Sequence, residues 1–176
     1  MFPIYKGTYE RGDGLKPGGP GGNPPALWRD HMIAWSRDLS RSLDYLETRQ
    51  DLDRTKTAYF GFSFGGVAAP VLLAIEGRFK AAILSSGGLN FQRALPEVDS
   101  TNFVTRVNIP VLMLNGRYDP LFPVESGQLP IFRRLGTPAK DKKHVIYEAG
   151  HGGLPYREEV RESLDWLDKY LGPVRR

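Results

Sequence analysis

From Thr55 to Gly77 the chain passes from TKTAYF through GFSFGG into VAAPVLLAIEG. The first run reads as a strand and the apolar stretch from Phe64 reads as a helix ended by Gly77, with only a glycine-flanked serine between them. A strand that turns directly into a helix must lay that helix back across its own sheet. The junction therefore commits the chain to parallel strands joined by crossover helices. So sharp a turn puts Ser63 in a strained backbone conformation and calls for glycine at Gly61 and Gly65, where side chains are expected to collide. Pro70 is the one residue that argues against the helix.

The remaining segments fit the same plan. KAAILSS (80–86), IPVLMLNG (109–116) and KHVIYE (143–148) read as strands, and VESGQLPIFRRLG as a short imperfect helix. Trp28, Met32, Trp35, Leu39, Leu43 and Leu46 recur at spacings of three and four, the stripe of an amphipathic helix. A final helix over 156–171 is expected to present Val160, Leu164, Leu167 and Leu171 on one face. Residues 12–25, GDGLKPGGPGGNPP, read as a long glycine- and proline-rich surface loop. The 176 residues thus form a single minimal α/β domain, with a mostly parallel sheet, helices on both of its faces, and ligands bound beyond the carboxyl ends of the strands.

Composition removes several classes. The chain has no cysteine, which excludes disulfides, thiolate metal sites and cysteine nucleophiles. Its 24 basic and 20 acidic residues alternate along helices, the pattern of a solvated face. Two short basic clusters, Lys140 to Lys143 and Arg175-Arg176, lack the interleaved aromatics of a nucleic-acid groove. There is neither an apolar run long enough to cross a bilayer nor a secretory leader, so the expectation is a soluble and, if the chain is complete, cytoplasmic protein with no nucleic-acid or membrane partner.

Gly61-Phe62-Ser63-Phe64-Gly65, set between strand and helix, is the pattern of a nucleophile elbow. Ser63 would stand exposed at the start of a helix, where the backbone N–H of Phe64 can stabilise a developing oxyanion. A serine hydroxyl needs a base, usually a histidine oriented by a carboxylate. Of three histidines, His31 lies within the tryptophan-rich helix and His144 at the start of a strand, both read as structural or surface residues. His151, in EAGHGGLP just past the last strand, is the best base by position. In the chain order serine, acid, histidine, Asp119 follows the strand ending near Asn115, where Pro120 helps fix the turn. Glu97, Asp99, Asp141 and Glu148 lie in the same interval, and Glu97 and Asp99 are the reserve candidates.

On these residues the sequence resembles the α/β-hydrolase superfamily, more narrowly its dienelactone-hydrolase-like and prolyl-oligopeptidase-like branch. RDLSRSLDYLETRQDLDRTKTAYFGFSFGG, RFKAAILSSGGL, IPVLMLNGRYDPLFPVE and GHGGLP with LDWLDKYLG carry the likeness, which is similar to that of hydrolase domains sometimes fused behind bacterial protein-kinase domains. The resemblance implies a reduced α/β-hydrolase fold and a serine esterase, with Ser63 as nucleophile, His151 as base and then acid, Asp119 holding the imidazole, and no metal or organic cofactor. It also implies a departure. FPIYKGTYERG matches what is already the fourth strand and following loop of a complete family member, so the earlier strands and the loop that normally supplies the second oxyanion N–H have no counterpart. Two compensations are expected: Phe2 to Tyr5 pairing beside Thr55 to Phe60, with the turn at Lys6-Gly7 presenting a substitute oxyanion donor, and a homodimer or higher homo-oligomer covering exposed surface.

Phe62, Phe64, Tyr118, Phe122 and Tyr156 cluster in sequence around the three candidate positions and either line a pocket or pack the core. The expected function is hydrolysis of small short-acyl carboxylic esters through an acyl-enzyme. The alternatives are a catalytically weak hydrolase-like binding or regulatory module of a longer protein, and a peptidase or dienelactone-type hydrolase.

Overall fold

The computed structural model describes residues 1–16, 19–89 and 92–173. Pro17, Gly18 and the Arg175-Arg176 cluster lie outside the described residues. Along the chain come α1 (Pro25–Thr48), β1 (Ala58–Phe62), α2 (Phe64–Ile75), β2 (Ala81–Ser85), β3 (Val111–Gly116), a π-helical turn (Val124–Gln128) that runs into α3 (Leu129–Arg134), β4 (Lys142–Tyr147) and α4 (Tyr156–Leu171). The four strands form one parallel sheet in the order β1-β2-β3-β4. β2 and β3 are buried at every position, as expected of central parallel strands covered on both faces.

The two faces carry separate cores. On one, Trp28, Met32, Trp35, Leu39 and Leu43 of α1 pack with the small and apolar residues of α2, with Tyr59, Leu84 and Met113 from the sheet, and with Ile131 of α3. On the other, Trp166 of α4 covers Ala81, Ile83, Leu112 and Leu114. α2 runs through Pro70 without a break, because the buried packing of Val67 to Leu73 outweighs the one missing backbone donor.

Three expectations change. The docked face of α4 is not the leucine stripe: Val160 and Leu164 are exposed, while Trp166 is buried and Ser85 Oγ donates to Glu159 Oε1. The largest apolar ring and two polar contacts to the sheet (Lys143 pairs with Glu162) set the rotation of the helix rather than the count of aliphatic side chains. The described residues of the 12–25 loop are not all at the surface: Pro20 and Asn23 are buried, and Asn23 bonds to Lys16 and Gly19. Phe2 to Tyr5 forms no strand, and β1 is left as a sheet edge. This segment is held by α1 instead: the amide of Lys6 donates to Asp38 Oδ2 at 2.9 Å, and Trp35 Nε1 donates to the Lys6 carbonyl at 2.7 Å.

Candidate active site

Ser63 has φ +47° and sits between the last residue of β1 and the first of α2. The strain is held by its surroundings. Its N–H donates to the Ser85 carbonyl of the neighbouring strand at 2.8 Å, while its own carbonyl accepts from Gly66 and Val67 in the first turn of the helix. A Cβ on Gly61 would lie 2.6 Å from the Tyr59 ring and 2.7 Å from the backbone of Gly65. On Gly66 it would lie 2.7 Å from the Cα of Gly87. Gly65, by contrast, leaves ordinary room, its nearest contact being the Tyr59 hydroxyl at 3.5 Å. The expected symmetry of flanking glycines is thus corrected: close backbone approach requires glycine at 61 and 66, not at 65.

Ser63 Oγ is 2.9 Å from His151 Nε2, and His151 Nδ1 is 2.8 Å from Asp119 Oδ2. Asp119 is almost fully buried, and its second oxygen accepts the N–H groups of Leu121 and Phe122 at 2.8 and 3.1 Å. A carboxylate gripped in this way presents one oxygen in a fixed direction, and the imidazole follows it. The rings of Phe62 and Phe122 lie 6.0 and 5.8 Å from that of His151. Phe64 packs its ring against Trp28 and Trp35. Its N–H is the first of α2, ahead of the amides of Gly66 and Val67 that the Ser63 carbonyl takes. Tyr118 and Tyr156 are exposed.

The other candidates are engaged elsewhere. Asp99 caps the short turn at Thr101, Glu97 reaches Arg29, and Asp141 accepts from Tyr170. His31 is buried against Asp13 and the Leu27 carbonyl. His144 contacts Asn115, and burial pushes its pKa down to about 4. Lys6 and Gly7 do not meet the expectation of an oxyanion donor: the Lys6 amide is spent on Asp38, and that of Gly7 donates to the Arg11 carbonyl at 2.9 Å.

Sequence reasoning missed the groups that hold the two loops. Gln128, fully buried, donates through Nε2 to the carbonyls of Gly116 and Phe122 and so closes the loop that carries Asp119. Glu148 receives Arg117 Nε and the Tyr118 hydroxyl, linking that loop to the segment leading to His151, and the Tyr118 bond followed by Arg117 holds its carboxyl below the usual range. Neither has a local sequence signal, since each is defined by what it reaches across space. Among the described residues no group of three or more His, Asp or Glu side chains is arranged to hold a metal ion, and no helix is long and apolar enough to cross a membrane.

Known proteins resemble this chain in sequence and in fold. An uncharacterised protein of Mycobacterium tuberculosis is 25% identical over 167 residues, covering 87% of this chain and 57% of its own length. A cold-adapted esterase from an Arctic intertidal metagenomic library superposes with a TM-score of 0.67 at 27% identity, over 84% of this chain and 64% of the esterase. TT1662 from Thermus thermophilus gives a TM-score of 0.75 over 97% of this chain and 76% of its own, and at 18% identity shares the fold. The chain spans little more than half the length of the curated relatives it matches. The family profile itself matches residues 25–163, from the start of α1 into α4, so that elbow, acid loop and histidine loop all fall inside it, and the chain belongs to the dienelactone hydrolase family, within the α/β-hydrolase fold.

Proposed function

We propose that this chain is a serine carboxylic-ester hydrolase acting on small, short-acyl esters. The observation that carries the reading is the relay from Asp119 through His151 to Ser63, with both contacts at hydrogen-bond distance. Ser63 Oγ attacks the ester carbonyl as His151 Nε2 takes its proton, and Asp119 stabilises the imidazolium. The Phe64 N–H receives the developing oxyanion. Collapse expels the alcohol, protonated by His151, and leaves an acyl-serine. Water, deprotonated by His151, then releases the acid. The exposure of Tyr118 and Leu121, on either side of Asp119 in sequence, supports small substrates. The likeness to an esterase supports ester over amide substrates.

One observation favours a second reading, a weakly active module of a longer protein. With the amides of Lys6 and Gly7 engaged, neither supplies a second oxyanion donor, and loss of one such donor costs roughly 10²- to 10³-fold in kcat. Hydrolysis of p-nitrophenyl acetate by the wild type and by Ser63→Ala decides between them. The proposal expects turnover that falls by about 10³-fold or more in the variant. Equal, background-level rates from two folded proteins would leave the module.

A further inference from the structure

Ser86 directly follows β2, is fully buried, and has φ +49°. Among the described residues only Tyr9, Ser63 and Ser86 combine a side chain with a positive φ. Ser63 is accounted for by the elbow, whereas nothing in the proposed reaction uses Ser86. Glycine adopts this conformation without strain, and glycines stand at the next two positions. A serine held there at a conformational cost invites the question of what its side chain does.

The turn lies among all three segments that bear the relay. The Ser86 N–H donates to the Leu114 carbonyl of β3 at 2.8 Å. Gly87 meets Gly66 in the first turn after Ser63, and its carbonyl accepts from Asn115 Nδ2 at 2.8 Å, at the end of the strand that leads to Asp119. The side chain reaches the third segment: Ser86 Oγ accepts the N–H of Gly152, the residue after His151, at 3.3 Å. Gly152 has φ +71°, so the chain reverses just behind the imidazole and the serine hydroxyl is the acceptor that meets it there.

We infer that Ser86 is a positioning residue, whose hydroxyl fixes the turn behind His151 and thereby holds the imidazole between Asp119 and Ser63. Asp119 fixes one end of the ring from the acid loop, and Ser86 fixes the backbone from the sheet. The inference rests on the ester-hydrolase reading for its kinetic consequence but not for its structural one.

The test compares Ser86→Gly, which removes both strain and hydroxyl, with Ser86→Ala, which removes the hydroxyl alone. Both are expected to lower kcat for p-nitrophenyl acetate by 10-fold or more with KM unchanged, while Ser86→Gly melts no lower than the wild type. In both, the Gly152 amide should exchange faster with solvent, and the downfield proton resonance of the His151 to Asp119 bond should broaden. Wild-type kcat, Gly152 exchange and resonance in a folded Ser86→Gly variant would overturn the inference. So would failure of both variants to fold, which would assign Ser86 to the scaffold alone. If wild type and Ser63→Ala were equally inactive while the exchange and resonance changes appeared, the hydrolase reading would fail and the positioning role would stand.

Discussion

Gly61 and Gly65 flank Ser63 evenly in sequence and unequally in space. A methyl at 61 meets the Tyr59 ring and the Gly65 backbone, so Gly61→Ala is expected to cost about 1–3 kcal/mol by overpacking, and to lower ester turnover by roughly 10²-fold through displacement of Ser63. Gly65→Ala, in a helix with ordinary room, should change stability by under about 1 kcal/mol in either direction. Urea midpoints and p-nitrophenyl acetate rates on the two variants separate these outcomes. The sequence pattern made the elbow legible because a serine between glycines at a strand-to-helix junction has few other uses. It could not say which glycine matters, since that depends on where the folded chain sets the Tyr59 ring and brings Gly87. His144 adds a pH dependence. Its pKa is depressed to about 4 by burial, so the unfolded chain takes up a proton near pH 6.5 that the folded chain does not. Its contribution is therefore complete above pH 6.5 and is lost as pH falls toward 4, by an amount of order 1–3 kcal/mol. Unfolding free energies at pH 7 and 4.5 for the wild type and His144→Gln should show a smaller drop in the variant.

At the level of elements, the strands and the two long helices follow from periodicity, and their bounds move by only a few residues. The loops were legible only as positions. Asp119 and His151 could be chosen by chain order, whereas spacing did not show that Glu97 reaches Arg29, far away in sequence, or that Asp99 caps its own turn at Thr101. The acid loop shows why. Its shape depends on Gln128, whose amide bridges Gly116 and Phe122 from the π-helical turn, a dependence that no spacing rule encodes. Gln128→Leu leaves two carbonyls without that donor and is expected to destabilise by roughly 1–3 kcal/mol. If the loop aims Asp119, kcat should also fall with little change in KM. A variant of normal activity would show that the Leu121 and Phe122 amides suffice to hold the carboxylate.

For the whole molecule, the salt bridge between Lys143 and Glu162 orients more than one helix turn. Lys143 pairs in register with Leu112, so both face α4, and Glu162 marks the flank of α4 turned toward β4. Val160 and Leu164 lie on the opposite flank, toward β1, where Phe60 and Phe62 are also exposed. An open edge strand beside apolar side chains is a surface that seeks a partner. The homodimer expected from the sequence is proposed to bury it, and Phe60→Lys should then lower the solution mass measured by light scattering from two chains to one. A monomeric wild type would end that proposal. The order β1-β2-β3-β4 has one more consequence. Each strand pairs in parallel with its predecessor, so every pairing waits for a whole crossover segment and the sheet can grow one crossover at a time as the chain emerges from synthesis. Of the candidate site, Ser63 follows β1, Asp119 follows β3 and His151 follows β4, so the histidine arrives last. Assembly of the scaffold is gradual, whereas the proposed relay is completed in a single final step.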